Sequence, residues 1–121
     1  CIFVSGGSDV DDKSSKKVRK YDPKTNSWSE VAPMQNAHDK HEVAVLGGYM
    51  YVAGNDHGER SVERYDIVTD TWTRVADKIT QPNYSFGLFV VNGRLTAMGG
   101  GGYHSEVRSE EYDVDTDVWS C

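Results

Sequence analysis

Cysteine is nearly absent from this 121-residue chain: Cys1 and Cys121, the first and last residues, are the only two. Two cysteines provide neither a disulfide framework nor a four-thiolate metal site, and no internal thiol can serve as a nucleophile. We expect no bridge between the two ends. A chain without a disulfide framework is expected in a reducing compartment, which predicts a cytoplasmic location.

Long apolar runs and an excess of positive charge are also missing. No stretch approaches the roughly 20 residues of a membrane span and no secretory signal is present, so we expect no membrane partner. Thirteen lysines and arginines against 19 aspartates and glutamates give a net charge of −6. This argues against nucleic-acid binding and is compatible with a basic partner. Because the chain does not begin with methionine, we expect an excised or processed piece.

Helical periodicity is missing too, because no window has apolar residues at i, i+3, i+4 and i+7 over a useful length. Short apolar runs bounded by glycine or polar turns indicate an all-β protein. Asn92-Gly93 between two apolar runs is a strong hairpin signal, and Gly47-Gly48 has the same position one repeat earlier. Eleven strands are predicted, at residues 2–5, 17–22, 28–32, 41–46, 49–53, 61–66, 72–76, 86–91, 94–98, 107–113 and 118–121.

In place of these features the chain has a tandem repeat. Three segments contain Tyr-Asp followed by Trp six residues after the Asp, and their tyrosines are 44 and 47 residues apart. The segments are 21–28, 65–72 and 112–119. Upstream of each, an apolar strand ends in glycine, at Gly6, Gly54 and Gly99. A period of this size predicts one supersecondary unit per repeat, stacked on its neighbours.

These units resemble the kelch repeat, in which an apolar strand, a tight glycine turn, an apolar strand ending in Gly-Gly, a loop, Tyr-Asp and Trp follow one another. The resemblance covers essentially the whole chain, whereas the Gly-His and Trp-Asp pairs of WD40 repeats are absent. It implies a partial kelch-type β-propeller of about three four-stranded antiparallel blades, the first lacking its first strand. The predicted blades are 1–34, 38–79 and 83–121.

Closed propellers have about 4 to 8 blades, so three blades leave the ring open. We expect a fragment of a longer propeller, and the alternative is a homodimer in which two copies close a ring of about six blades. The resemblance also implies that the glycine pairs lie where blades crowd together and that the tyrosines and tryptophans pack between blades. The pairs expected in the core are Tyr21/Trp28, Tyr65/Trp72 and Tyr112/Trp119. Residues 28–32 are expected to form a half-buried outer strand.

Kelch-like domains bind protein or peptide partners through loops on one face of the ring, and the resemblance implies such a site here. The family commonly has an arginine near the start of each unit's first strand, where this chain has His38 and Asn83. The predicted partner-binding residues are Ser8, Asp9, Asp11, Asp12, Asp39, Asp56, His57, Arg60, Tyr84, Gly101, Tyr103 and His104. Tyr84 and Tyr103 are the best anchors. The acidic loops suggest a basic or mixed-charge partner, and the alternative is that the loops only confer solubility.

Metal and phosphate chemistry is not predicted. His38 and His41 could form a metal pair, but residues three apart on an extended segment point to opposite faces, so we expect a solvated link instead. The acidic pair Glu110/Glu111 is likewise expected to be solvated. The glycines at 99–102 lack the Gly-Lys-Ser/Thr of a phosphate loop. We therefore predict no enzyme activity, no metal and no cofactor.

The repeats look most like those of kelch-like substrate adaptors of cullin-based ubiquitin ligases. In those proteins a separate BTB domain, absent from this chain, would bind the cullin. The first alternative is an actin-binding or scaffolding kelch protein associated with the cytoskeleton. A remote alternative is a galactose-oxidase-like copper enzyme, which would need tyrosine, histidine and cysteine ligands to converge, whereas the only cysteines here are terminal.

Overall fold

In a computed structural model, residues 1–8, 10–11, 13–38, 41–54, 60–79, 86–99 and 109–121 are described. Every regular element in these ranges is a β-strand, and within them no helix capable of crossing a membrane occurs. The strands are β1 (Ile2–Ser5), β2 (Val18–Asp22), β3 (Ser27–Glu30), β4 (Glu42–Leu46), β5 (Tyr49–Ala53), β6 (Val62–Asp66), β7 (Thr71–Val75), β8 (Phe86–Val91), β9 (Arg94–Gly99), β10 (Ser109–Asp113) and β11 (Val118–Ser120).

The strands form three antiparallel sheets in which sequence neighbours pair in space: β1-β2-β3, β4-β5-β6-β7 and β8-β9-β10-β11. We call these sheets blade one, blade two and blade three. The predicted all-β architecture of three stacked blades, the first with three strands, is confirmed, and the blades do not close into a ring. Three predicted strands, at residues 2–5, 49–53 and 86–91, have the observed bounds, and the described ends of the others differ by at most two residues. The predicted start at residue 107 lies outside the described residues.

Tight turns fix the register of the first hairpin in blades two and three. Gly47 and Gly48 have φ of 59° and 80°, and Asn92 and Gly93 have φ of 51° and 75°. Two consecutive residues with positive φ are what a two-residue hairpin of type I′ requires, and its twist matches the flanking strands. The resulting pairing places Val45 opposite Met50, so alternate residues of each strand share one face of the sheet.

The apolar core lies between the blades, in one cluster for each interface. Blade one packs on one face of blade two, and blade three packs on the other. The first cluster contains Val18, Met34, Met50, Val52, Tyr65 and Trp72. The second contains Tyr51, Ala53, Val62, Val75, Phe86, Leu88, Leu95, Ala97, Tyr112 and Trp119. Because each blade has apolar residues on both faces, packing against a neighbouring blade removes apolar surface from water and stabilises the fold.

The glycine that ends β5 shows how closely the blades approach. A Cβ on Gly54 would lie only 2.7 Å from Cε1 of Phe86, on the first strand of the next blade. Gly54 also has a φ of 87°, which other residues rarely adopt. The expected crowding of the glycine positions against the adjacent blade is therefore confirmed here.

The antiparallel order places two kinds of connection at opposite edges of the sheets. The loops from the second to the third strand of the repeat (6–17 and 54–61) and the links between blades (31–41 and 76–85) follow strands that end at one edge, which we call the loop edge. The short turns lie at the other edge, the turn edge. The loop edge is also cross-linked, because Met34 N donates to Lys16 O and Lys78 N donates to Arg60 O, both at 2.9 Å.

Candidate functional site

A tryptophan on the fourth strand of the repeat binds the blade before it. The indole Nε1 of Trp72 donates to the Ala32 carbonyl at 2.8 Å, and that of Trp119 donates to the Ala76 carbonyl at 2.9 Å. Both acceptors lie four residues after the preceding tryptophan. The same contact is therefore repeated at both interfaces.

An aspartate in the preceding turn binds the same link. Asp70 Oδ1 accepts hydrogen bonds from Ala32 N at 2.9 Å and from the Tyr65 hydroxyl at 2.7 Å. Asp70 has a φ of 52°, in the left-handed region that aspartate adopts more readily than most residues. These bonds hold the pKa of Asp70 below its ordinary value, while burial and the bond to Asp70 raise the pKa of Tyr65 to about 12.

The third interface element is a glutamate two residues before the tyrosine. Glu63 is fully buried, and its two carboxylate oxygens accept from Gln35 N at 2.6 Å, Asn36 N at 3.1 Å and His38 Nε2 at 2.7 Å. We call the tryptophan, the turn aspartate and this glutamate the interblade latch. Asp117 and Glu110 are its counterparts in blade three, and they accept from Ala76 N at 2.8 Å and Ile79 N at 2.6 Å.

His38 is the cation of the first latch. Its side chain is completely buried, with Nδ1 2.6 Å from the Gly54 carbonyl and Nε2 2.7 Å from Glu63 Oε2. Because the pKa of Glu63 is held below its ordinary value, its carboxylate is ionised at neutral pH and, like the Gly54 carbonyl, can only accept, so each ring nitrogen carries a proton and donates a hydrogen bond. His38 is thus an imidazolium that ties blade one to blade two.

Two sequence-based expectations are wrong here. His38 was expected in a solvated link and His41 on the opposite face, but His38 is buried and the two rings lie 5.9 Å apart. The Glu63 carboxylate and the Gly54 carbonyl, whose positions the sequence alone does not give, hold the His38 ring inside the interface instead. Glu110 was also expected to be solvated, yet it is buried and lies 3.8 Å from Lys78 Nζ.

The Glu63 latch predicts a loss of stability in acid. Burial alone raises the pKa of Glu63, but the His38 ring and two backbone N–H groups together hold it below its ordinary 4.5. A depressed folded-state pKa means that the stabilisation is complete above the unfolded value and is lost as pH falls through the folded value.

The measurement is urea denaturation at pH 7, 5, 4 and 3 of the wild type and of Glu63→Gln. We expect the stability advantage of the wild type to shrink below pH 4.5. Because Asp70 also has a depressed pKa and is present in both proteins, its contribution cancels from the difference. An advantage that stays constant across this range would contradict the assignment.

The aromatic pair of blade one differs from the other two. Tyr21 and Trp28 pack together with ring centroids 5.1 Å apart, but Trp28 is 57% exposed, against 7% for Trp72 and 5% for Trp119. The whole of β3 is exposed rather than half-buried. The expectation that this pair is core is therefore wrong for the described structure, since no described blade covers this face.

Three of the predicted partner-binding residues can be located. Ser8 and Asp11 are exposed in the blade-one loop, where Ser8 forms a β-bridge with Ser14. Arg60 is exposed on the equivalent loop of blade two, and its side chain donates to Ile79 O at 3.4 Å. All three belong to the loop edge. The other nine predicted residues lie outside the described part of the chain: Asp9, Asp12, Asp39, Asp56, His57, Tyr84, Gly101, Tyr103 and His104.

The electrostatics of the loop edge were only partly expected. A concavity of about 550 Å³ opens beside the blade-one loop, and its lining includes Lys13, Lys16, Lys17 and Arg19. A cationic hollow was not predicted for a chain of net charge −6. Among the residues that the structure describes, no group of three or more histidines, cysteines, aspartates or glutamates is arranged to hold a metal ion.

Comparison with protein families agrees with this repeated geometry. The model of the kelch motif matches residues 1–35 and 40–78, together more than half of the chain. The chain belongs to the kelch-repeat family. Blade three lies outside both matches, yet its tryptophan, aspartate and glutamate make the same latch contacts, so the geometry extends the kelch repeat to the third unit.

Curated kelch proteins are similar over most of the chain. It is 41% identical over 97 residues to kelch-like protein 15 of Danio rerio, and this match covers 78% of the chain and 16% of that protein. Human kelch-like protein 15 is 36% identical over 106 residues, or 82% of this chain and 17% of its own length. Kelch-like protein 36 of Rattus norvegicus is 32% identical over 114 residues, or 86% of this chain and 18% of its own length. The chain thus spans less than a fifth of each relative.

Proposed function

We propose that this chain is a protein-interaction module, a part of a kelch domain that holds a protein or peptide partner at its loop edge and performs no catalysis. The observation that carries the proposal is the structural difference between the loop edge and the rest of the blades. The loops and links at the loop edge are long and polar, whereas the latch beneath them fixes each blade to the next. Rigid scaffolds that present loops in this way commonly bind partners through those loops.

More specifically, the module is the substrate-recognition part of an adaptor for a cullin-RING ubiquitin ligase. Similarity to kelch-like proteins across most of this chain supports this role. The cullin would be bound by a BTB domain elsewhere in a longer protein, and the complex would act in the cytoplasm. The acidic net charge favours a basic substrate segment, whereas the lysines that line the concavity beside the blade-one loop favour acidic residues, so of the basic and mixed-charge segments expected we propose the mixed one.

The test uses the full-length protein, purified from cells with its bound partners. Alanine substitutions of Arg60, Tyr84 and Tyr103 should lower the retention of substrate at least about tenfold, because aromatic and arginine anchors dominate binding energy. Retention of the cullin should not change. The matched control is a triple alanine variant at the turn edge (Lys24, Val68 and Asp115), which should leave substrate binding intact.

Each alternative outcome has a distinct meaning. Loss of substrate in the turn-edge variant alone would place the binding site at the turn edge and would overturn the loop-edge proposal. Absence of any cullin, together with co-sedimentation with actin filaments that charge changes in the loops reverse, would replace the adaptor role by that of a cytoskeletal protein. Copper bound with a radical absorbance would contradict the proposal that the module is not an enzyme.

A further inference from the structure

The carbonyl of Gly54 and the carboxylate of Glu63 form a buried receptor for a cation, which we call the His38 socket. The imidazolium of His38, on the link that leaves blade one, binds both groups at 2.6 and 2.7 Å. At the next interface, the carboxylate of Glu110 faces the ammonium of Lys78 from the following link. At both interfaces a buried anion on the third strand of the repeat thus meets a cation from the link of the preceding blade.

Blade one presents the equivalent socket outward. Its glycine is Gly6, and the residue two before its tyrosine is Arg19 in place of glutamate. The pairing confirms the equivalence, because Val4 lies opposite Arg19 as Val52 lies opposite Glu63. Gly6 and Arg19 both line the concavity of about 550 Å³, and we call this site the blade-one socket.

The charge of the blade-one socket is opposite to that of the His38 socket. Besides Arg19, the lining includes Lys13, Lys16 and Lys17, and none of the described residues that line it is acidic. Arg19 pairs with Glu30 at 4.0 Å, and both side chains are more than half exposed. A pair with this geometry contributes little, so Arg19 can exchange it for a better-placed carboxylate.

The face around the socket has the other parts of a latch. Ile2, Val4 and Trp28 on this face are each more than half exposed. Asn26 has the left-handed φ and the tyrosine contact of Asp70 and Asp117, since its Oδ1 accepts from the Tyr21 hydroxyl at 2.8 Å. Trp28 and Asn26 therefore occupy the positions from which, one repeat later, Trp72 and Asp70 bind the link at Ala32.

We propose that this face docks a further blade of the same type whose outgoing link carries an aspartate or glutamate where the link of blade one carries His38. The carboxylate of that residue pairs with Arg19, the Trp28 indole donates to a link carbonyl, and Asn26 accepts from a link N–H. Continuity with the two observed interfaces gives the kind of partner, and charge complementarity gives the residue that enters the socket. This inference does not depend on what binds at the loop edge.

The experiment measures binding of two synthetic peptides to the intact 121-residue chain by titration. Both copy residues 27–41, which contain the fourth strand and link of the repeat, and one of them carries His38→Glu. We expect the peptide with the substitution to bind at least about tenfold more tightly than the unchanged peptide, because only it forms a charge-assisted bond with Arg19. In the Arg19→Glu chain this preference should reverse.

Arg94→Glu is the matched control, because Arg94 is 54% exposed and Arg19 is 57% exposed, and each faces one exposed glutamate. It should leave the peptide preference unchanged. Equal affinity of the two peptides, no detectable binding of the substituted peptide, or an equal effect of Arg94→Glu would overturn the proposal. A concentration-dependent dimer that Arg19→Glu abolishes would also overturn it, since a second copy of the chain would then cover this face.

An independent measurement builds the inverted pair inside the chain. Glu63→Arg alone sets two cations together, and His38→Glu alone sets two carboxylates together. The double variant reproduces the polarity proposed for blade one, so we expect a higher urea midpoint for it than for either single variant. A double variant no more stable than the single variants would show that the socket cannot hold the inverted pair and would contradict the proposal.

Discussion

Replacing Trp72 or Trp119 by alanine should lower the free energy of unfolding by about 3–5 kcal/mol. Each ring is almost completely buried between two blades, against a neighbouring tyrosine at about 5 Å between centroids. Each indole N–H also donates to a carbonyl of the preceding link. The substitution removes the ring, leaves a cavity and leaves a link carbonyl without its hydrogen-bond donor, which are separate causes of destabilisation.

Trp28 is the control that the chain itself provides. It occupies the same position of the repeat and contacts its own tyrosine, but it is mostly exposed. Trp28→Ala should therefore cost less than about 1 kcal/mol in the 121-residue chain. Urea denaturation followed by far-ultraviolet circular dichroism measures all three variants. Equal costs at Trp28 and Trp72 would contradict the view that tryptophan stabilises the fold by binding the preceding blade.

Replacing Glu63 by alanine should cost about 3–5 kcal/mol, because it leaves a buried imidazolium without its counter-ion. The same change removes the acceptor of two backbone N–H groups on the link. Glu63→Gln should be less damaging than alanine, since the remaining amide oxygen can still accept one of these bonds. Both variants weaken the contact between blade one and blade two specifically.

Glu111→Ala is the matched control for Glu63. Glu111 is also on the third strand of the repeat, but it is half-exposed and its pair with Arg94 at 3.6 Å is on the surface. Its replacement should cost less than about 1 kcal/mol. A His38→Leu, Glu63→Met double variant should recover part of the stability that Glu63→Ala loses, because it removes both charges together. A Glu63→Ala variant as stable as Glu111→Ala would refute the buried latch.

The repeat and its strands could be predicted from the sequence because they depend on local signals. The Tyr-Asp and Trp spacing aligned the three units, and the glycine and Asn-Gly turns fixed the hairpins of blades two and three. The side-chain period of two then placed Tyr65 and Trp72 on one face. These features require no knowledge of what covers each face.

The latch carboxylates were missed, although a signal for them was present. Glu63 and Glu110 lie two residues before a tyrosine expected to be buried, and residues two apart on a strand share a face. Both glutamates should therefore have been placed in the core beside Tyr65 and Tyr112. Their partners could not be derived in the same way, because the link that carries His38 bends and its position depends on contacts between blades.

The exposure of Trp28 was missed for a different reason. A repeat pattern predicts the same environment for every copy, but burial depends on the blade that lies against each copy. Prediction of the binding residues is limited in a similar way, because the pattern places their loops at one edge but does not identify the partner that binds there. The proposed pairing of Arg19 with a link carboxylate likewise depends on the sequence of the blade that lies against it.

Amide hydrogen exchange of the intact chain tests the central claim, that side chains of each blade hold the link of the blade before it. The N–H groups of Ala32, Gln35, Ala76 and Ile79 donate to latch carboxylates. We predict that these four link amides exchange as slowly as amides paired within the strands. They should exchange far more slowly than the Val68 amide, whose bond to Asp66 Oδ1 at 2.9 Å is local and lies in an exposed turn. Exchange of the four at the rate of Val68 would show that the latches do not form, and would contradict the account.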